Sequence, residues 1–494
     1  MSLNMQSLWQ AECKFPELKP LKENQSVDIA VIGAGMAGIL TAYFLQERGY
    51  KVVVLDRARL GEGETGGTTA KITAQHRLIY DNLLNQYGDN IAWQYALANS
   101  RAIRQYQTLI AKLNIDCHFK HCPAYVYTRG STEKLEKENE AAVRLGIPSF
   151  MTDHTELPFK VTGALCFSDQ ARFHPLLFLR AIAEKLTIYE NTRVRTVEDG
   201  KVYYDGGRLS AKWVVIATHY PLINYPGLYF MRMHQSRSYV QALKGVPEMS
   251  GMYINQKDSG LSFRSEGDIL LLGGAGHRTG KNPAASEAPN NYEILKCAAN
   301  RLYPEAKPIY SWSAQDCMTS DGVPYIGSYS ASTPRLLVAT GFNKWGMTSS
   351  MVAATLLTDK ITGAGNECMP AFSPKRFSIK SISGNFVNDG LQSTKGLLSQ
   401  AFHFPVKGLD ELPKGAGDIV EYKGKKVGAY KSENGEVFLV STRCPHLGCE
   451  LKWNPDELSW DCPCHGSRFD INGKWISSPA VDNLPKQHIN TNLK

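Results

Sequence analysis

Residues 27 to 56 constrain the fold more than any other stretch of this chain. Val27-Asp28-Ile29-Ala30-Val31-Ile32 reads as an apolar strand. It runs straight into Gly33-Ala34-Gly35-Met36-Ala37-Gly38, and a helical pattern continues through Ile39, Ala42, Tyr43 and Leu45. A second strand, Lys51 to Leu55, ends at Asp56. Strand, Gly-x-Gly-x-x-Gly, helix, strand and acid is the order of a dinucleotide-binding unit. Gly33 suits the tight turn, Gly35 lets a pyrophosphate approach the backbone, and Gly38 lets the helix pack on the sheet. The helix N-terminus faces the phosphates, and Asp56 can accept ribose hydroxyls.

The pattern itself admits NAD or FAD. The run Gly61-Glu62-Gly63-Glu64-Thr65-Gly66-Gly67-Thr68-Thr69-Ala70-Lys71 points to the flavin, because small residues and hydroxyls suit its pyrophosphate and ring edge. Three later segments fit the same picture. Trp213-Val214-Val215-Ile216-Ala217-Thr218 is a strand ending in small residues, and Thr319 to Gly327 is rich in turn formers. Leu336-Leu337-Val338-Ala339-Thr340-Gly341-Phe342 leads into Gly346 and a helix from Thr348 to Leu357. Taken in order, residues 20 to 370 resemble the D-amino-acid oxidase and glycine/sarcosine oxidase family of flavoproteins. The resemblance implies a Rossmann-like FAD domain with an inserted α+β substrate domain. It implies FAD contacts at Gly33, Gly35, Met36, Ala37, Gly38, Asp56 and Arg57, and at Gly67, Thr68 and Thr69. It extends them to Ala217, Thr218 and Gly341, and to Gly346, Met347 and Thr348, where a helix N-terminus meets the isoalloxazine.

Two cysteine–histidine runs lie near the C-terminus. Cys444-Pro445-His446-Leu447-Gly448-Cys449 and Cys462-Pro463-Cys464-His465-Gly466-Ser467 supply a Cys-x-His pair and a Cys-x-x-His pair. A Rieske-type 2Fe–2S cluster needs this set: two thiolates on one iron and two imidazoles on the other. The ligands are then Cys444, His446, Cys462 and His465. Zinc sites use similar residues but rarely place His two residues after Cys and then repeat Cys-Pro-Cys-His-Gly. The last 88 residues, 407 to 494, resemble Rieske proteins of the cytochrome bc type. The resemblance implies a small all-β sandwich, and a disulfide between Cys449 and Cys464 stapling the two cluster loops. In those proteins a serine and a tyrosine hydroxyl of the second loop donate to cluster and cysteine sulfurs. Here Ser467 fills the serine place and Phe469 the tyrosine place. Short strands are expected at Asp418–Tyr422, Lys426–Lys431, Val437–Ser441 and Ser467–Asp470, with an Asn-Gly turn at Asn472-Gly473.

The fold class expected is therefore α/β followed by a small all-β domain, joined by a connector at residues 371 to 406. Those 36 residues are long for a pure loop and are expected to pack over the flavin body. The chain has 494 residues, too many for one core. No apolar stretch reaches the roughly 18 residues of a membrane span, and the first 19 residues hold no apolar signal core. A cytoplasmic protein is expected, with the seven cysteines outside the cluster runs as free thiols. Residues 407 to 494 carry 12 basic and 12 acidic residues, so the net charge of +8 belongs to residues 1 to 406. A basic body can attract an acidic redox partner, although a solvated surface is the commoner meaning. Nothing resembles a nucleic-acid module.

Residues 71 to 160 carry helix patterns, including Asp81 to Tyr87 and Ser100 to Leu113. Residues 229 to 310 alternate as strands, at Ser238–Ala242, Leu261–Arg264 and Ile269–Gly273. Arg264 could clamp a substrate carboxylate in bidentate fashion, although a structural arginine is the commoner case. Arg232, Arg237 and His277 are equally open, and His76 could face the flavin. Gly273 to Gly280 reads as a turn rather than a second nucleotide loop. No Asp-x-x-His-x-x-x-x-His run is present, which argues against a Rieske oxygenase with a mononuclear iron. A flavin accepts two electrons together and a 2Fe–2S cluster carries one. The family resemblance implies an amine or amino acid oxidised at a C–N bond, with electrons leaving singly through the cluster to a redox partner protein. The opposite flow, with the cluster feeding FAD, is the alternative.

Overall fold

The computed structural model describes residues 4–280, 290–376 and 408–485. The elements used below, in chain order, are β1 (Gln25–Ile32), α1 (Met36–Gln46), β2 (Val52–Leu55), α2 (Tyr80–Leu113), β3 (Lys120–Thr128), β4 (Gly163–Arg172), β5 (Ile188–Tyr189) and β6 (Gly207–Ile216). Then come β7 (Met233–Lys244), β8 (Met252–Asn255), β9 (Ser262–Glu266), β10 (Ile269–Arg278), β11 (Lys307–Thr319), β12 (Tyr325–Ser328), β13 (Leu336–Thr340) and α3 (Gly346–Thr362). The C-terminal strands are β14 (Gly417–Tyr422), β15 (Lys425–Lys431), β16 (Val437–Val440), β17 (Lys452–Asn454), β18 (Ser459–Asp461), β19 (Arg468–Asp470) and β20 (Trp475–Ser477). The chain forms two compact units. Among the described residues, the first holds 4–228, 238–276 and 292–376, and the second holds 229–237, 277–280, 290–291 and 408–485.

The first unit contains two sheets. One has the order β12-β13-β6-β1-β2-β5, with β1 parallel to both β2 and β6, and β6 parallel to β13. Val52 to Leu55 and Ile29 to Ile32 are buried, the unbroken apolar run of strands covered on both faces. Helix α1 is buried along nearly its whole length and packs against α3. The other sheet runs β11-β7-β10-β9-β8-β3-β4 and ends at the short strand Lys71–Ile72. This is the inserted α+β part. The two helices expected between residues 81 and 113 are the ends of α2, which is broken at Gly88, where φ is 76°. The expected turn at Gly273–Gly280 is corrected: β10 continues through these glycines to Arg278, paired with β9 as far as Gly273. Their lack of side chains suits close packing, since a Cβ on Gly273 would lie 2.7 Å from Ser262 Oγ.

In the second unit, β14-β15-β16 and β17-β18-β19-β20 are two antiparallel sheets. Val440 of the first shares one core with Leu451 and with Trp460 and Phe469 of the second, which makes a sandwich. The expected strands are present to within one residue. The β17–β18 hairpin was not anticipated, because its three-residue strands are too short to show alternation. The Asn-Gly turn closes β19 onto β20, with Gly473 at φ 75°. Most of the 371–406 connector, from 377 onward, lies outside the described residues.

Candidate active site and cluster site

Strand β1 delivers the chain to Gly33, whose φ is 106°. A Cβ there would lie 2.4 Å from the Ala217 carbonyl oxygen, and one on Gly38 would lie 1.9 Å from the Gly33 oxygen. These two glycines are required by the fold. Gly35 differs: its φ is −76°, and a Cβ would meet nothing closer than Thr65 Oγ1 at 3.4 Å. The space above it is free of protein, as a pyrophosphate site at the α1 N-terminus must be. The Asp56 carboxylate accepts the Ala34 amide at 2.6 Å and the Ala58 amide at 2.8 Å, which aims it beside the glycine turn. Burial pushes its pKa up. Thr65, not singled out from the sequence, accepts the first amide of α1, that of Met36, at 3.1 Å. These features fit FAD.

A cavity in the first unit brings Gly67, Thr68, Thr69, Gly346 and Met347 together, five of the residues expected at FAD. Ala217, Thr218, Gly341 and Thr348 lie outside its lining. Thr218 donates to the Tyr220 carbonyl, and Thr348 donates to the Thr73 carbonyl. The remaining wall includes Lys71, Arg77, Ser238, Tyr239, Asp258, Asp316, Lys344 and Trp345. Lys344 donates to Ser238 Oγ at 3.1 Å, and burial lowers its pKa. Lys71 donates to Thr69 Oγ1 at 3.1 Å, and burial, aided by Arg264 and Arg77, brings its pKa down to about 7. Arg77 pairs with Asp258. Sequence reasoning missed these cations. Lys344 lies inside the Gly341–Gly346 run, which was the available signal.

Neither substrate candidate, Arg264 or His76, lines this cavity. Arg264 is fully buried, donates to the Phe173 carbonyl at 2.7 Å, pairs with Glu266 and lies over the Trp9 ring. Its guanidinium is committed within the core. His76 bonds Tyr95 Oη at 2.6 Å through Nδ1 and contacts the Thr73 carbonyl and Thr348 Oγ1 through Nε2. It stacks on Trp345, and burial brings its pKa down to about 3. It is a neutral structural imidazole behind the α3 N-terminus. Arg237 pairs with Glu457, and Arg232 lies over the Tyr229 ring.

The cluster loops repeat one construction. The Cys444 amide bonds the Cys449 carbonyl and the Gly448 amide returns to the Cys444 carbonyl, each at 2.9 Å. The Cys462 amide bonds the Ser467 carbonyl at 2.8 Å and the Gly466 amide returns to Cys462 at 2.9 Å. Gly448 and Gly466 both have positive φ, 77° and 85°, which explains a glycine four residues after each cysteine. Cys449 and Cys464 form the disulfide. Cys444 and Cys462 face each other as free buried thiols. The Cys462 thiol, the Ser467 hydroxyl and the amides of His446 and Leu447 hold the Cys444 pKa low. The His446 and His465 rings lie 5.0 Å apart. Burial lowers their pKa values to about 4 and about 3, so both imidazoles are neutral, as iron ligation requires. His465 Nδ1 is buried without a hydrogen-bond partner, while its other nitrogen donates to the Phe230 carbonyl. A buried orphan nitrogen beside two buried thiols fits a 2Fe–2S cluster.

This geometry defines a flavoprotein with an iron–sulfur domain on one chain. The model of the FAD dependent oxidoreductase family matches residues 28–360, and that of the Rieske [2Fe-2S] domain matches residues 402–488. The chain belongs to that FAD-dependent oxidoreductase family, carries a C-terminal Rieske domain, and binds FAD and a 2Fe–2S cluster. It is 35% identical to the putative Rieske 2Fe-2S iron-sulfur protein YhfW of Bacillus subtilis, with 97% of each chain covered. The fold is similar to that of glycine oxidase from Geobacillus kaustophilus, with TM-score 0.60 and 18% identity over 73% of this chain and 100% of that one. It is also similar to L-amino acid deaminase from Proteus vulgaris, with TM-score 0.59 and 20% identity over 74% of this chain and 97% of that one. Among the described residues, no helix is long and apolar enough to cross a membrane.

Proposed function

We propose that this protein oxidises a small amine or amino acid at a C–N bond and passes the electrons one at a time through the Rieske cluster to a redox partner in the cytoplasm. Residues 20–370 form the FAD-dependent part and residues 407–494 the cluster domain. One observation carries the reading: the cavity that gathers Gly67, Thr68, Gly346 and Met347 is also walled by Lys71, Arg77 and Lys344. Cations beside the flavin site suit a substrate carboxylate. Arg77 is already paired with Asp258, so Lys344 is the anchor we assign. Ser238 holds the Lys344 ammonium in place. The lowered pKa of Lys71 lets it accept a proton near neutral pH. Bound FAD supplies the two-electron acceptor, and the cluster, held by Cys444, His446, Cys462 and His465, supplies a one-electron carrier. Structural neighbours named for amino-acid substrates, among them glycine oxidase, L-proline dehydrogenase and L-amino acid deaminase, support the substrate class.

The test is an anaerobic screen of amines and amino acids against the flavin absorbance. Bleaching by one class of substrate supports the reading. Bleaching only by a reduced one-electron carrier protein favours the opposite flow, from cluster to flavin.

A further inference from the structure

The cluster site includes residues that lie far from it in the sequence. Tyr229–Arg237 falls inside the FAD-oxidoreductase match, yet it packs within the second unit, together with the cluster loops. The Gln235 side-chain amide donates to the His465 carbonyl at 2.8 Å and to the Ser478 carbonyl at 2.6 Å. A Cβ on Gly466 would lie 2.7 Å from Gln235 Cβ, so the glycine beside the ligand admits the glutamine. The Phe230 ring meets both ligand imidazoles edge-on, with centroids 6.1 Å from His446 and 5.9 Å from His465. The Phe230 carbonyl accepts the N–H of His465. Arg237 is buried and shares Glu457 with Arg468, which also pairs with Asp461 at 3.0 Å. His465 is consequently only 4% exposed.

We propose that Tyr229–Arg237 is a built-in cover for the cluster, closing its His465 edge and leaving the half-buried His446 to external redox proteins, and that the Phe230 carbonyl tunes His465, whose own backbone Gln235 seats against it. A ligand imidazole that donates its distal N–H to a carbonyl becomes a stronger donor to its metal. Stronger donation favours the oxidised cluster, so the cover lowers the potential. Loss of one hydrogen bond, about 1 kcal/mol, is roughly a fivefold change in the electron-affinity ratio. For a one-electron couple, at 59 mV per tenfold, that is about 40 mV. The inference rests on the proposed function only in taking the cluster as an electron carrier.

The experiment uses full-length holoprotein and two positioning variants, Gln235→Ala and Phe230→Ala. Midpoint potentials are read by EPR-monitored titration. Carbethoxylation of His465 by diethyl pyrocarbonate is followed by peptide mass spectrometry, with His154, whose side chain is 97% exposed, as internal standard. In the native protein His465 should react at least about fivefold more slowly than His154, the factor of one hydrogen bond. Gln235→Ala should raise the potential by about 40 mV and speed His465 carbethoxylation several-fold, with iron content unchanged. Native His465 reacting as fast as His154, or a Gln235→Ala protein with iron retained and both readouts unchanged, would overturn the proposal. If Gln235→Ala loses its cluster, Phe230→Ala decides: it keeps the carbonyl, so His465 should react faster at a nearly unchanged potential, and an unchanged reaction rate overturns the cover. Neither readout needs a substrate, so a failure here is separate from a failure of the flavin screen.

Discussion

Ser467→Ala should lower the potential of the Rieske cluster without removing it. Ser467 is fully buried, and its oxygen accepts the Ala480 amide at 2.9 Å. The hydroxyl has one proton, and that proton goes to Cys444 sulfur. A hydrogen bond to a charged acceptor contributes about 1.5–3 kcal/mol. Only the part that strengthens on reduction, roughly 1–2 kcal/mol, enters the potential, because the added electron makes the sulfur a better acceptor. At 59 mV per tenfold for one electron, the loss is roughly 40–90 mV. The companion variant is Phe469→Tyr. Phe469 is wholly buried opposite Trp460, and its lost hydroxyl places the native potential below the top of the Rieske range of about −150 to +300 mV. Restoring the hydroxyl should raise the potential if it reaches a cysteine sulfur. EPR-monitored redox titration of the three proteins is the assay. Unchanged potentials in both variants with iron retained, or a native value at the top of the range, would refute control by these sulfur hydrogen bonds.

Other expectations follow from the same geometry. Gly35→Val should fold yet bind no FAD, since its backbone is compatible with a side chain and only Thr65 Oγ1 is near, whereas Gly38→Ala should destabilise the fold itself, with a Cβ 1.9 Å from the Gly33 oxygen. Flavin content and thermal melting of the two proteins separate these outcomes. Iron, sulfide and flavin analysis should give two irons and one FAD per chain; tightly bound zinc would contradict the cluster. Cys449→Ser should retain iron less durably than the native protein, while Cys444→Ser should not assemble the cluster, because Cys449 is spent on the disulfide and Cys444 is a free thiol. His76 is held neutral in the fold, with its pKa brought to about 3, so the unfolded chain binds the extra proton. Its stabilising contribution is complete above the ordinary pKa of about 6.5 and declines as pH falls, by about 2 kcal/mol between pH 7 and 5. His76→Gln should flatten that decline in urea titrations at the two pH values.

Local patterns carried the fold. The glycine turn, Asp56 and the strand ends at Ile216 and Thr340 were legible because each is a short run with one structural meaning. The two cluster loops were legible for the same reason, and Gly448 and Gly466 mark them by their left-handed backbone. Long-range choices were not legible. Arg264 lies two residues beyond the cavity-lining Ser262 on β9, and nothing local says that Glu266, Phe173 and Trp9 claim it. His76 follows the flavin run closely, but its ring partners come from Tyr95 and from Trp345 and Thr348. Lys344 was hidden inside a run read only for its glycines. The pairing of Gln235 with His465 spans 230 residues and left no sequence signal beyond Gly466.

The central claim is that two-electron chemistry at the flavin drains through the cluster. The direct measurement is an anaerobic titration of the native protein with the amine or amino acid that bleaches its flavin, with the Rieske EPR signal recorded at each addition. The cluster signal should grow together with the loss of flavin absorbance. Full bleaching of the flavin while the cluster stays oxidised, and is reduced only by an external one-electron donor, would contradict the account.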